Sequence, residues 1–520
     1  MADKLLRFFN TTGPCNPESH YMLLPEERLV SAQLSRYIKN ELYWVLHAPR
    51  QTGKTTFLQS WMREINTRGE QVACYVSVES CQGISEPERA IPTICDAIKR
   101  AADINNFPIP DTIDNPFMAL NYTLGSWAKK IAPKPLIVLF DEVDVLEGET
   151  LISFLRQLRD GFATRGVGTF PISAALVGMR DLKDYITESK EGVAPNPGSP
   201  FNIKEDSAQL TNFSEYDIVR LFAQRTEETG QQITIEALKY VYEQSNGQPW
   251  IVNSLFKRAT LRILDEESTE TVTINHVRDA REQMVMARET HLDALAYRLK
   301  DERIRKVIET IMVGKPDATL AQGEEFRLCL DLGLVTIING TPCISNPIYR
   351  EVLAREITYS TQLAIPEPVW KWQRDDGTLD IEALMYEFQK FWRRHSELWE
   401  VNSGYTEAFP HLLLMAFLQR ITNGGGYIDR EYAAGRGRMD LALLFNKRWY
   451  IIEIKLIHDH DSAEIVREEG LEQIRWYRDR FESVAATVLA IFDRRKSSKS
   501  LSWDEKIKQE SDDDVIIFWQ

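Results

Sequence analysis

The stretch from Tyr43 to Thr67 constrains the fold more than any other part of this chain. Tyr43-Trp44-Val45-Leu46-His47 leads into the loop Ala48-Pro49-Arg50-Gln51-Thr52-Gly53, and Lys54 and Thr55 follow where a helical stretch begins. An apolar run without polar alternation reads as a strand buried on both faces, and such strands belong to parallel sheets covered by helices. Three further candidates follow: Gln71–Val78 after the break at Gly69, Leu136–Phe140 between Pro135 and Asp141, and Ala174–Gly178. Alternation of these runs with helical stretches predicts an α/β domain with a parallel sheet.

The loop has a chemical reading. Its pattern is G-x-x-x-x-G-K-[ST] with Ala48 in place of the first glycine. Backbone N–H groups from Ala48, Pro49, Arg50, Gln51, Thr52 and Gly53 onward (Pro49 has none to give) and a helix N-terminus form a cradle for phosphates. Lys54 is expected to reach the β- and γ-phosphates and Thr55 to ligate Mg²⁺, with Thr56 completing the segment. Leu136–Phe140 ends in Asp141 and Glu142. Asp141 is expected to hold Mg²⁺ through water, and Glu142 to polarise the attacking water. ATP and Mg are therefore the expected cofactors.

Ala48–Thr56, Asp141-Glu142, Gly178-Met179-Arg180-Asp181 and Gly247-Gln248-Pro249 together resemble the AAA-like ATPases of the STAND clade. The resemblance implies that Arg180 lies near the γ-phosphate and that Pro249 contacts the nucleotide from a helical lid. It also allows a homo-oligomer, because this class often assembles. Helical periodicity after Ser214, with Ile218, Leu221 and Phe222 and then Ala237, Leu238, Val241 and Tyr242, fits such a lid. Beyond it, helices near Ile304–Ile311 and Glu324–Leu332 precede a strand pair, Val335–Ile338 and Cys343–Ser345, joined by Asn339-Gly340, which predicts a hairpin. This unit resembles a winged helix. It either enters a nucleic-acid groove or packs against the ATPase, and Glu324 and Glu325 are unfavourable beside phosphates.

A second site is expected at the C-terminal end. Asp440–Phe445 reads as a strand, Asn446-Lys447-Arg448 as a turn and Trp449–Leu456 as the next strand. Folding back about that turn sets Asp440 opposite Glu453 or Ile454, and alternation puts Glu453 and Lys455 on one face. Two carboxylates and a lysine can hold a divalent cation against a phosphodiester. Asp440 and Glu453, with the Ile454 carbonyl, would ligate Mg²⁺, and Lys455 would orient water or stabilise transition-state charge. The constellation resembles the PD-(D/E)xK nuclease superfamily, although Met439 replaces the proline before the aspartate. The resemblance implies that Gln473 and Tyr477, in Gln473-Ile474-Arg475-Trp476-Tyr477, form a Q-x-x-x-Y motif. It also implies that Glu407 is a further metal-ligating acid. It spans about Glu400 to Gln520.

The expected architecture is multidomain α/β. A P-loop NTPase parallel sheet (1–205) is followed by a helical lid (206–290), a winged helix (291–362), a linker and helical lead-in (363–400) and a restriction-endonuclease-like α/β domain (401–520). The formal net charge of −15 argues against a general polyanion binder, though local basic patches such as Arg494, Arg495, Lys496 and Lys499 remain. The 6 cysteines form no CxxC pair, which reads as a reduced, cytoplasmic chain. No apolar run approaches membrane-spanning length. The expected function is an ATP-regulated, Mg²⁺-dependent nuclease acting on nucleic acid, DNA first, with a role against foreign DNA as one setting. The alternatives are a STAND-type signalling ATPase whose C-terminal domain binds nucleic acid or a protein partner without cleaving, and an oligomerising scaffold.

Overall fold

A computed structural model describes residues 6–23, 28–29, 34–179, 204–265, 268–287, 290–312, 320–363, 372–402, 414, 417–418, 426–434, 437–457, 459–479, 481, 483–493, 495 and 501–520. The chain divides into two compact units: Met1–Arg288 with Phe326–Thr336, and Glu289–Glu325 with Ile337–Gln520. Among the described residues, no helix is long and apolar enough to cross a membrane.

In the first unit, two short strands, β1 (Phe8–Phe9) and β2 (His20–Tyr21), pair in parallel. The central sheet holds β3 (Tyr43–His47), β4 (Val72–Ser77), β5 (Leu136–Asp141), β6 (Ser173–Gly178) and β7 (Lys204–Gln209). Its order is β4-β5-β6-β3-β7, and every pairing is parallel. β5 and β6 are buried along their whole length. Each lies between two strands and has a core on both faces, which is why their sequences lack alternation. The helix Lys54–Arg68 begins at the loop's lysine and is closed by Gly69, whose φ of 75° supplies the left-handed stop. This is the P-loop NTPase architecture: the loop after β3 and the acid-bearing end of β5 open at the same carboxyl edge of the sheet. Four helices, Glu215–Thr229, Ile235–Ser245, Pro249–Arg258 and Ile274–Met286, follow β7.

The strands β8 (Val335–Ile338) and β9 (Thr341–Ile344) form the expected hairpin. Asn339 and Gly340 have φ of 51° and 80°, the pattern of a two-residue turn. Pairing resumes directly after the turn, so the second strand begins at Thr341 rather than at Cys343.

The second unit is built on a six-stranded mixed sheet: β10 (Gly426–Ala434), β11 (Gly437–Phe445), β12 (Arg448–Ile457), β13 (Val484–Asp493), β14 (Lys508–Asp512) and β15 (Val515–Trp519), in the order β10-β11-β12-β13-β15-β14. β11 and β12 turn through Asn446 and Lys447, again with both φ positive. β12 is parallel to β13. One face of the sheet packs on the helix Ile381–Asn402 through Leu384, Phe388, Tyr450, Ile452 and Ile454. The other face carries the helix Ala463–Arg478, through Leu471, Ile474 and Tyr477.

Candidate functional site

The phosphate loop is held from several sides. Lys54 Nζ donates to the carbonyls of Ala48 (2.7 Å) and Pro49 (2.9 Å), and Thr52 Oγ1 donates to Pro49 O (2.9 Å). The Arg28 guanidinium donates to Thr52 O (2.7 Å) and Thr211 O (3.0 Å), tying the loop to the segment after β7. Gln51 and Gly53 adopt φ of 57° and 96°, whereas Ala48 does not have positive φ. Its methyl group is buried in the apolar cluster of Leu46, Phe57 and Val177. The loop therefore needs no glycine at 48, and the departure from the pattern is accounted for. Burial pushes the Lys54 ammonium down to about 8, against the pull of Asp144 and Asp141.

Asp141 is only 1% exposed and is fixed by three donors. Thr55 Oγ1 (2.6 Å) and Tyr75 OH (3.2 Å) both donate to Oδ2, and the Glu142 N–H (3.0 Å) donates to Oδ1. Glu142 sits in a left-handed conformation, φ 63°, and accepts a 2.6 Å hydrogen bond from Ser77 Oγ. Burial raises its pKa, Ser77 opposes that shift, and the neighbouring acids Asp141, Glu79 and Asp144 add to it. Tyr75 and Ser77 are two residues apart on β4 and so share a face, one hydroxyl serving each acid. Sequence reasoning missed both. The available signal was hydroxyl residues at alternate positions on the strand preceding the acid-bearing one.

Lys54, Thr55, Tyr75, Ser77, Asp141 and Glu142 line a cavity of about 700 Å³, which also takes in Met179, Phe213, Pro249 and, from the N-terminal segment, Thr11, Cys15 and Tyr21 among others. The N-terminal segment was not anticipated as part of the site. The Cys15 N–H donates to Thr56 Oγ1 (3.0 Å), while Trp250 Nε1 donates to Thr11 O (2.9 Å) and Lys257 Nζ to Thr11 Oγ1 (3.1 Å). It is thus pinned both to the loop helix and to the helix Pro249–Arg258. Gln248 Nε2 reaches Gln51 O at 3.4 Å. Pro249 lines the cavity; Arg180 lies outside the described residues. The donor set fits a nucleotide with a hard divalent ion, because the Thr55 hydroxyl and Asp141 carboxylate are oxygen ligands within 2.6 Å of each other beside the loop.

In the second unit, Lys455 Nζ bonds Glu453 Oε1 at 3.0 Å and also donates to Gln473 Oε1. Glu453 is 2% exposed, while Gln473 is exposed. The helix Ala463–Arg478 can bring Gln473 to Lys455 because Gly470 sits directly on the sheet. A Cβ there would lie 2.6 Å from Leu489 Cδ1 and 3.3 Å from Lys455 Cγ. Tyr477 is buried with Ala442 and Ile451. Ile454 is buried on the opposite face, in the cluster with Ile452, leaving its carbonyl as the candidate ligand. The last pairs of the β11–β12 register are Ala442↔Ile451 and Leu441↔Ile452, so positions 440 and 453 come next. Backbone alternation puts position 440 on the face shared by 442, 451 and 453. Glu407 lies outside the described residues. Among the described residues, no group of three or more His, Cys, Asp or Glu is placed to hold a metal. Glu453 is the acid contributed there, and Asp440 enters by backbone position.

Residues 405–489 match the model of the PD-(D/E)XK nuclease superfamily. That segment is a PD-(D/E)XK nuclease-superfamily domain. The match contains β11, β12 and the helix bearing Gln473 and Tyr477. Among solved structures, a Walker-type ATPase of Pyrococcus abyssi is 13% identical, covering 66% of this chain and 99% of that one, with a TM-score of 0.48. The RuvB Holliday junction branch migration motor of Thermotoga maritima is 14% identical, covering 66% and 97%, with a TM-score of 0.34. No curated protein matches the chain.

Proposed function

We propose that this protein is an ATP-regulated, Mg²⁺-dependent nuclease that hydrolyses phosphodiester bonds in DNA. The observation that carries the reading is the Glu453–Lys455–Gln473 contact set inside the segment that matches the nuclease superfamily. The cavity that joins Lys54, Thr55, Asp141 and Glu142 supports its ATPase half.

In the nucleotide site, Lys54 exchanges the Ala48 and Pro49 carbonyls for phosphate oxygens. Thr55 and Asp141 would hold the metal, and Glu142, steadied by Ser77, orients the water. In the nuclease site, Asp440, Glu453 and the Ile454 carbonyl would hold the ion, with Glu407 as a further ligand. A bound divalent ion supplies charge neutralisation at the phosphate and a more acidic water. Lys455, steered by Gln473, donates toward the phosphorane-like charge or the incoming water. Arg180 completes the γ-phosphate contacts, the segment 291–362 acts as a winged helix, and a cytoplasmic setting and self-assembly of the STAND type complete the proposal.

The test is a panel of single- and double-stranded DNA and RNA with Mg²⁺ or Mn²⁺, with and without ATP. Wild type is expected to cut DNA, Lys455→Ala to lose cutting while keeping ATP binding, and Glu142→Gln to bind ATP without turning it over. Wild type and Lys455→Ala equally inert on every substrate would remove the nuclease reading in favour of nucleic-acid or protein binding.

A further inference from the structure

Asn253 lies on the helix Pro249–Arg258 and lines the same cavity as Lys54. It is 7% exposed. Its Nδ2 donates to Pro249 O at 3.0 Å. A carbonyl oxygen only accepts, so the amide nitrogen must face Pro249, and this fixes which side-chain atom is the oxygen. That oxygen, Oδ1, has no donor among the described residues. A buried acceptor without a partner costs stability unless a ligand supplies the donor.

The surroundings select the donor. Leu23, Phe213, Leu221, Pro249 and Trp250 line the cavity along with Asn253, and they offer a largely apolar setting suited to a planar ring. We propose that Asn253 is the base-selecting residue of the nucleotide site, its Oδ1 accepting a hydrogen bond from the 6-amino group of adenine. The proposal rests on the nucleotide-binding reading of the cavity and adds the specificity. A 6-oxopurine would set its own acceptor oxygen against Oδ1, leaving two lone pairs opposed and no bond. The site therefore takes adenine nucleotides and rejects guanine and hypoxanthine nucleotides.

The experiment is calorimetric titration of the full chain with ATP, ITP, GTP, purine riboside triphosphate, 2′-deoxy-ATP and 3′-deoxy-ATP in the presence of Mg²⁺. Wild type is expected to bind ATP about tenfold or more tightly than ITP or GTP, with purine riboside triphosphate in between. Asn253→Leu, close in shape, is expected to lower ATP affinity and bring the ATP-to-ITP ratio close to one. The wild-type analogue series needs no variant and reads the same contact should Asn253→Leu fold poorly. Equal wild-type affinity for ATP and ITP overturns the proposal, as does an undiminished preference in Asn253→Leu. Loss of affinity for the deoxyribose analogues that vanishes in Asn253→Leu also overturns it, by assigning Oδ1 to the ribose. Failure of wild type to bind any of these nucleotides removes the nucleotide reading itself, a result distinct from binding without base preference.

Discussion

Replacing Gly247 by alanine tests how the helix after it is seated against the phosphate loop. Gly247 has φ 69°, and an added Cβ would lie 1.8 Å from Phe213 O and 2.8 Å from Phe213 C. The left-handed backbone alone costs an L-residue about 1–2 kcal/mol. The overlap is with main chain, so the two segments must separate, and the 2.8 Å bond from Phe213 N–H to Gly247 O is lost. That adds about 1 kcal/mol, for a total of about 2–3 kcal/mol. Gly230→Ala is the internal control: φ is 79° and nothing lies within 4 Å, so it carries the backbone cost without the collision. A loss of about 2–3 kcal/mol lowers the first thermal transition by roughly 4–12 °C at 2–4 °C per kcal/mol, and the control by less. Phe213 also lies under the Arg28 guanidinium, 4.8 Å from ring centroid to carbon, and Arg28 holds Thr52 O. Displacing Phe213 is therefore expected to weaken ATP binding as well, measured by titration calorimetry beside the melting curve. Equal melting of the two variants, with wild-type ATP affinity in Gly247→Ala, would refute the seating argument.

Three pH predictions follow from the nucleotide site. Lys54 falls from 10.5 to about 8 in the nucleotide-free fold, so its charge is lost as pH rises through about 8, and phosphates favour its return. ATP affinity is expected to decline above pH about 8 with proton uptake on binding, read from the buffer dependence of the calorimetric enthalpy; proton release would contradict it. By the same sign, the buried charge makes the nucleotide-free fold less stable below pH about 8 than above 10.5. Ser77 lowers the Glu142 pKa, so Ser77→Ala is expected to move the acid limb of ATP hydrolysis upward. A limb that stays in place or moves downward would detach Ser77 from Glu142.

The parts of this fold that were legible in the sequence are those dictated by local chemistry. β5 is an unbroken apolar run because both of its faces are covered, and it gives way to the acids at the carboxyl edge, where they line the cavity. Asn339-Gly340 specifies a two-residue turn through backbone angles few other pairs tolerate. The β7 edge, Lys204–Gln209, with Lys204, Glu205 and Asp206, was invisible because an edge strand need not be apolar. β10 also gave no clear signal, since Asp429, Arg430 and Glu431 interrupt it. In the nucleotide site, the motif residues were readable, whereas Tyr75, Ser77, Arg28 and the residue 10–23 segment were not. Their roles come from long-range packing: Arg28 reaches Thr211, and Thr11 meets Trp250. No local spacing encodes such contacts. Tyr477 shows the converse: its spacing from Gln473 was readable, but its burial against Ala442 and Ile451 depends on which sheet face the helix covers.

The two candidate sites solve the same problem with opposite charge arrangements. Each buries a carboxylate on a strand of a sheet, and a buried carboxylate without compensation costs several kcal/mol. The hydrogen bonds to Asp141 come from neutral donors, the Thr55 and Tyr75 hydroxyls and a backbone N–H, with no cation bonded to it directly, although Lys54 is near enough to feel its charge. A cation brought with the phosphates would add to them. Glu453 is instead paired with Lys455 at 3.0 Å, so its charge is already balanced. A divalent ion gains little from a balanced pair and needs further acids, which are the roles assigned to Asp440 and Glu407. Cleavage should consequently be more sensitive to Asp440→Asn than metal-dependent ATP binding is to Tyr75→Phe, because the former removes a charge and the latter only a neutral donor. Comparable losses in the two variants would mean that charge balance does not set metal affinity at these sites.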